Sequence, residues 1–250
     1  MDAAALLACL AALVAGFIDA VAGGGGLVQL PALLVLYPHA EPEDLFGTNK
    51  VASFSGTATA LARYARAVTI PWRQVGGSAA GAFAASFTGA RLAAAMPVAW
   101  MRPLVVVLLA GVLVWTLRGP PRHASAGPTP PPWAGAIIGV LLGFYDGFFG
   151  PGTGSFLLFA FVTWLGLDFL TASASAKLVN VATNLAAIAA FAPAGHVRWE
   201  LALPMAACNV AGAQLGAHLA LREGAVFVRR AFVVIVTTLL LKLGWGLLRG

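Results

Sequence analysis

The stretch GFIDAVAGGGG at residues 16–26 decides how the rest of the chain is read, because its pattern returns as GFYDGFFGPGTG at residues 143–154. The separation is 127 positions. Without a gap, the same separation aligns Gly23 with Gly150, Gly25 with Gly152, Lys50 with Lys177, Trp72 with Trp199, Gly89 with Gly216 and Arg102 with Arg229. Lysine occurs only three times in the protein, and two of the three fall into register. Matching alanines would carry no weight in so alanine-rich a chain; matching lysine, aspartate and tryptophan does. The chain reads as two copies of one unit, a recurring plan in secondary transporters.

Composition says what solvent the unit is built for. Of 250 residues, 60% are hydrophobic and 10% charged, with a mean hydropathy of +0.88. Soluble domains carry roughly 25% charged residues. At about 20 apolar residues per transmembrane helix, the apolar stretches supply roughly eight to ten crossings. The formal charge of +6 resides mostly in arginines between apolar runs, where they act as topology signals and offer no nucleic-acid surface. Cys9 and Cys208 fall within apolar runs and belong to no metal-binding or disulfide pattern. Residues 1–22 begin Met-Asp, without a basic leader region, and read as a first membrane helix rather than a cleaved signal.

The expected fold is therefore all-α: a polytopic transmembrane bundle of two homologous repeats, each with a short or broken helix after a Gly-rich stretch. The first repeat is 1–118 and the second 133–250. Between them, the Pro/Gly-rich sequence ending at Pro132 is a solvated linker over 119–132. Apolar segments are expected near 3–20, 27–37, 45–65, 74–95 and 101–117, then 134–147, 154–166, 169–192, 200–221 and 226–248. The second segment of each copy is too short to span a bilayer of about 30 Å. Arg63, Arg66 and Arg73 against the acidic link PHAEPED at 38–44 put residues 63–73 in the cytoplasm. If the short segments cross fully, each copy has five crossings and the copies are inverted. If they turn back, each has four and the copies are parallel.

Three features carry chemistry. Gly23, Gly24, Gly25 and Gly26 in one copy, and Gly150, Gly152, Thr153 and Gly154 in the other, each interrupt an apolar run and open a new one. A helix that starts there has about four N–H groups without intrahelical partners, and hydrocarbon cannot satisfy them. With the helix dipole they form an anion cradle; the alternative is that the glycines only allow close packing. Neither cluster is followed by the Lys-Ser/Thr of a P-loop.

The second feature is a polar stripe. Lys50, Ser53 and Thr57 share one helix face, and Lys177, Asn180 and Asn184 repeat the spacing. Asn49 adjoins the first set and has no amide counterpart at Ala176. A lysine at the bilayer centre costs about 2.5–3.5 kcal/mol. Substrate contact, structural pairing and snorkelling to the headgroups each account for it. The third feature is Asp19 and Asp146, four residues before each glycine cluster. Each can carry a coupling proton, pair with lysine, or bond the freed backbone. Trp72, Trp100, Trp133 and Trp199 begin apolar segments and read as interfacial anchors. His39, His123, His196 and His218 form no ligand spacing, and no nucleophile–His–acid set supports an enzyme.

In these motifs, from Gly16 to Gly26 with Pro31 and then Gly47-Thr48-Asn49-Lys50, the chain resembles the TauE/SafE family of sulfite exporters. The run from Gly143 to Gly154, followed by Lys177 and Asn180, echoes the pattern. The resemblance covers nearly the whole chain. It implies movement of sulfite or small organosulfur anions across the bacterial inner membrane. Pro151 departs from the first copy and removes one N–H donor, so the two cradles need not be equivalent. The combined expectation is a multi-pass secondary transporter for a small oxyanion, with no cofactor or metal. Its partners would be the anion and the bilayer, with no nucleic acid; a homodimer is left open. An anion channel and a non-transport membrane scaffold are the alternatives.

Overall fold

The computed structural model describes residues 2–97, 99–101, 104, 107–108, 111 and 131–223, and every regular element among them is an α-helix. The expected segment at 226–248, most of that at 101–117, nearly all of the 119–132 linker and the Arg102/Arg229 match lie outside the described residues. In chain order the helices are α1 (Ala3–Ala22), α2 (Gly26–Leu36), α3 (Pro42–Ala67), α4 (Trp72–Ala94), α5 (Pro132–Phe148), α6 (Thr153–Thr163) and α7 (Phe169–Phe191). A further helix, α8, occupies 199–223, and the described residues 99–101, 104, 107, 108 and 111 are also helical. Of these, α1 and α7 are long and apolar enough to cross a bilayer.

Local chemistry sets the boundaries. Asp2 caps α1 by accepting from the Ala5 amide at 2.8 Å, and Gly23 ends it in the left-handed region at φ 76°. Pro42, Glu43 and Asp44 form the first turn of α3, with Arg66 in its last, the charge order the helix dipole favours. The helix thus starts inside the acidic link at 38–44, and Glu43 is buried there. Asp168 caps α7, accepting from Leu170 and Thr171. Burial alone would raise its carboxyl, but hydrogen bonds from Thr171 and Leu170 outweigh that and hold it below its ordinary 3.8.

Helix directions follow from which ends meet. Leu7, Leu10 and Val14 of α1 share one lateral groove with Leu27, Pro31 and Val35 of α2. Tyr37, just past α2, lies back beside Asp2 and Ala5. The pair is a hairpin that returns to the end of the bundle where it began. In the same way Ile138 and Leu141 of α5 share a groove with Phe156, Phe159 and Thr163 of α6. Helices α3 and α7 run antiparallel: Asp44 and Gly47 meet His196 and Phe191 at one end, and Tyr64 meets Lys177 toward the other.

Close packing depends on a small-residue stripe. Gly135, Gly139, Gly143 and Gly147, one per turn of α5, face Gln74, Ser78, Ala82 and Ser86 of α4, and any Cβ would strike that backbone. The two helices are therefore parallel and start together. Likewise Gly212 and Gly216 of α8 press on Leu13 and Phe17 of α1. Gly16 against Asn209 and Gly143 against Ala82 are the same contact 127 positions apart, as are Gly89 against Phe144 and Gly216 against Phe17.

These contacts correct one sequence inference. The short helices do turn back, yet α1 and its counterpart α5 begin at opposite ends, as do α3 and α7. The linkage of turning back to parallel copies assumed that the first helix crosses. In the structure α1 and α2 return together as a hairpin, so the pair begins and ends at the same end of the bundle.

Candidate functional site

The two glycine breaks lie against each other in the interior. A Cβ on Gly23 would come within 2.5 Å of the Gly154 carbonyl carbon, and one on Gly154 would strike the Gly23 oxygen. Gly26 faces Pro151, and Ser155 Oγ donates to the Ala22 carbonyl at 3.1 Å. Gly23, Gly150 and Gly152 have positive φ (76°, 99° and 86°), so any side chain there would also strain the backbone. Each break is thus the other's packing partner. The α2 and α6 N-termini are brought together, although the Leu27, Val28, Gln29, Thr153 and Phe156 amides already donate to the Gly24, Gly25, Gly150 and Gly152 carbonyls just ahead of each helix.

Around this junction is a small, closely lined pocket. Its lining consists of Asp19, Gly23 and Gly26 from the first hairpin; Asn49, Lys50, Ser53 and Thr57 from α3; Asp146, Gly150, Gly152, Thr153 and Gly154 from the second hairpin; and Asn180 and Asn184 from α7. Three residues expected from sequence are outside this lining. Gly24 packs on Ser155 Oγ, the Gly25 amide bonds the Asp19 carboxylate, and Lys177 points elsewhere.

The two lysines have different surroundings. Lys50 Nζ lies 3.0 Å from Asp146 Oδ2, with side-chain exposures of only 3% and 6%. That geometry is a buried ion pair across the two halves of the chain and rules out snorkelling for Lys50. Lys177 is equally buried, but its Nζ donates to Ser173 Oγ at 2.9 Å and sits 4.7 Å from the centre of the Tyr64 ring, a cation–π contact. Tyr64 is itself anchored by donating to the Ala20 carbonyl at 2.9 Å.

The aspartates differ correspondingly. Asp146 pairs with Lys50, whereas Asp19 accepts from Thr57 Oγ1 at 2.9 Å and from the Gly25 amide, bonding the broken backbone. Asp19 is within electrostatic range of Lys177 and of Asp146. Two carboxylates and two ammonium groups therefore share a small interior region. Oδ1 of Asn49 and of Asn180 is buried without a partner among the described residues. An amide that rotates by half a turn would present its NH₂ to the pocket instead. Hydroxyls, amides and one ammonium thus share the lining with two carboxylates.

Sequence reading missed several polar residues. Asn209 Nδ2 donates to Gln29 Oε1 at 2.8 Å, both buried; an asparagine inside the apolar run AACNVAG was the available signal. His196, given no role from spacing, meets Asp44 at 2.9 Å at one end of the bundle, with Glu41 beside them. Nothing in the local pattern of Tyr64 or Ser173 marks them as the residues that hold Lys177.

With the geometry in view, comparison with known proteins is specific. The family model described as Sulfite exporter TauE/SafE matches residues 8–243. A probable membrane transporter protein of Haemophilus influenzae is 33% identical over 98% of this chain and 97% of its own length. A probable membrane transporter protein of a Sinorhizobium species, ORF9, is 34% identical over 93% of this chain and 89% of its own. The probable membrane transporter protein YfcA of Escherichia coli K12 is 32% identical over 93% and 86%. No solved structure matches the chain.

Proposed function

The chain belongs to the TauE/SafE family of sulfite exporters, membrane transporters and not enzymes, and from that premise we propose that it is a secondary transporter of a small oxyanion, sulfite or an organosulfonate, in the bacterial inner membrane. The carrying observation is the meeting of the two glycine breaks beside Lys50. Opposed half-helices bring two positive dipole ends and one ammonium to a single space. Ser53, Thr57, Thr153, Asn49, Asn180 and Asn184 supply hydrogen bonds. Lys177 acts from behind, through Tyr64 and Asp19, rather than by direct contact.

Alternating access follows from the same layout. Contacts that recur 127 positions apart, between helices that run in opposite directions, support two inverted repeats from one duplicated unit. Rocking one hairpin against the other would open the junction to either side in turn.

The test is uptake into liposomes of labelled sulfite and sulfonates. The wild-type protein is expected to show saturable flux, Lys50→Ala to abolish it, and Lys177→Ala to impair it. Flux that does not saturate would assign an anion channel, and no flux a scaffold. Unchanged transport in the double variant would remove both lysines from the site.

A further inference from the structure

The pocket proposed to hold an anion is lined by two carboxylates, Asp19 and Asp146, and among the described residues by one cation, Lys50. An anion that docks on Lys50 adds a third negative charge to a space with a single ammonium on its wall. That ammonium is already engaged 3.0 Å from Asp146. Like charges this close in a desolvated site do not all remain ionised. With Lys177 in electrostatic range of Asp19 the two carboxylates and two ammonium groups already balance, so the anion brings one uncompensated negative charge, and neutralising one of the three restores the balance.

Resting on the oxyanion-transport reading, we infer that the anion binds together with one proton, taken up by Asp19. Asp146 keeps its charge through a direct ammonium partner. Asp19 has no lysine at ion-pair distance among the described residues. It is only half-buried, on the pocket wall, where a proton that enters with the substrate can reach it. Its existing partners tolerate the change: the Thr57 hydroxyl, which now donates at 2.9 Å, can rotate to accept from a carboxylic acid. The ionisable groups around it are Lys177 on α7, Tyr64 and Lys50 on α3, and Asp146 on α5. Lys177 is turned away, bonded to Ser173 and seated on the Tyr64 ring.

The step balances simply. A proton from the aqueous side joins one Asp19 carboxylate oxygen, the ammonium of Lys50 keeps its proton and gains the anion, and both charges leave together on the other side. Each monoanion then travels with one proton, and a proton gradient drives accumulation.

The probe is isethionate, a sulfonate that stays ionised from pH 5.5 to 8.5, so that any pH dependence belongs to the protein. For wild-type protein the Kd is expected to rise about tenfold per pH unit on the alkaline side of the titration. Calorimetry in buffers of different ionisation enthalpy is expected to register one proton taken up per anion. Asp19→Asn is expected to bind with a Kd independent of pH and without proton uptake; Asp146→Asn changes affinity but keeps the slope. Wild-type binding with a flat profile and no proton uptake overturns the inference and leaves the transport reading intact. Proton uptake that persists in D19N overturns the assignment to Asp19. Folded wild-type protein that neither binds nor moves isethionate or sulfite overturns the transport reading itself. The wild-type proton count requires no variant, so a D19N protein that fails to fold does not block the test.

Discussion

Replacing Lys50 by methionine removes an ammonium 3.0 Å from Asp146 Oδ2 while keeping most of the side-chain volume. At that distance, and an effective dielectric near 20, the Coulomb attraction is about 5 to 6 kcal/mol. Both side chains are almost fully enclosed, at 3% and 6% exposure, so water cannot take over the role of the lost partner. Leaving one member of a buried pair uncompensated costs about 3–5 kcal/mol. Removing both charges is far less costly, because neither is then stranded, and Lys50→Met with Asp146→Asn together should recover most of the loss. The assay is a double-mutant cycle on purified protein, with unfolding free energy as the readout and the four proteins compared in one detergent. The expected order is wild type and the double variant close together, with K50M well below both. If K50M loses less than about 1 kcal/mol, as exposed pairs do, the ammonium is solvated and the buried-pair reading is wrong. If the double variant is less stable than K50M, the two charges do not face each other.

Three further outcomes test other parts of the structure. Gly23→Ala should destabilise by roughly 2–5 kcal/mol, from left-handed strain plus overpacking against Gly154. Gly76→Ala, where nothing lies within 4 Å of the added Cβ, should be neutral or slightly stabilising; melting temperatures compare the two. Tyr64→Phe, which loses the bond to the Ala20 carbonyl but keeps the ring under Lys177, should lose about 1 kcal/mol, and Tyr64→Leu should lose more, read by the same melts. Asp168→Ala should cost about 0.5–2 kcal/mol through the lost cap of α7. Because the folded carboxyl lies below its ordinary 3.8, that contribution is complete above the ordinary value and disappears as pH falls through the lower folded one. The stability difference between wild type and D168A should therefore close on acidification; a constant difference would refute the cap's ionic character.

Much of the site was visible along the chain. Glycine clusters interrupt apolar runs only where backbone must be left open, and a lysine inside such a run demands a partner, so both stand out against an apolar background. The Lys-x-x-polar spacing also reports correctly which side chains share a helix face, because helical period is a local property. What a face meets is not local. Nothing in the neighbourhood of Lys50 names Asp146 as its partner in preference to Asp19, which is nearer in sequence. Nor does local pattern separate Lys50, on the pocket wall, from Lys177, turned onto Tyr64, since both sit in the same repeated motif.

By itself, then, the sequence determined the all-helical membrane character of this protein, the glycine and lysine positions that recur 127 residues apart, and the residue types available to a binding site. Only the tertiary structure decided that the two breaks pack on each other, that α1 turns back with α2 and α5 with α6, and that α3 and α7 run in opposite directions. The physical reason is that composition and period depend on the solvent and on one helix's own geometry. Direction and pairing depend on which surfaces fit: here, on glycines that let two backbones touch at Gly23 and Gly154, and on a buried ammonium whose nearest carboxylate lies in the other half of the chain.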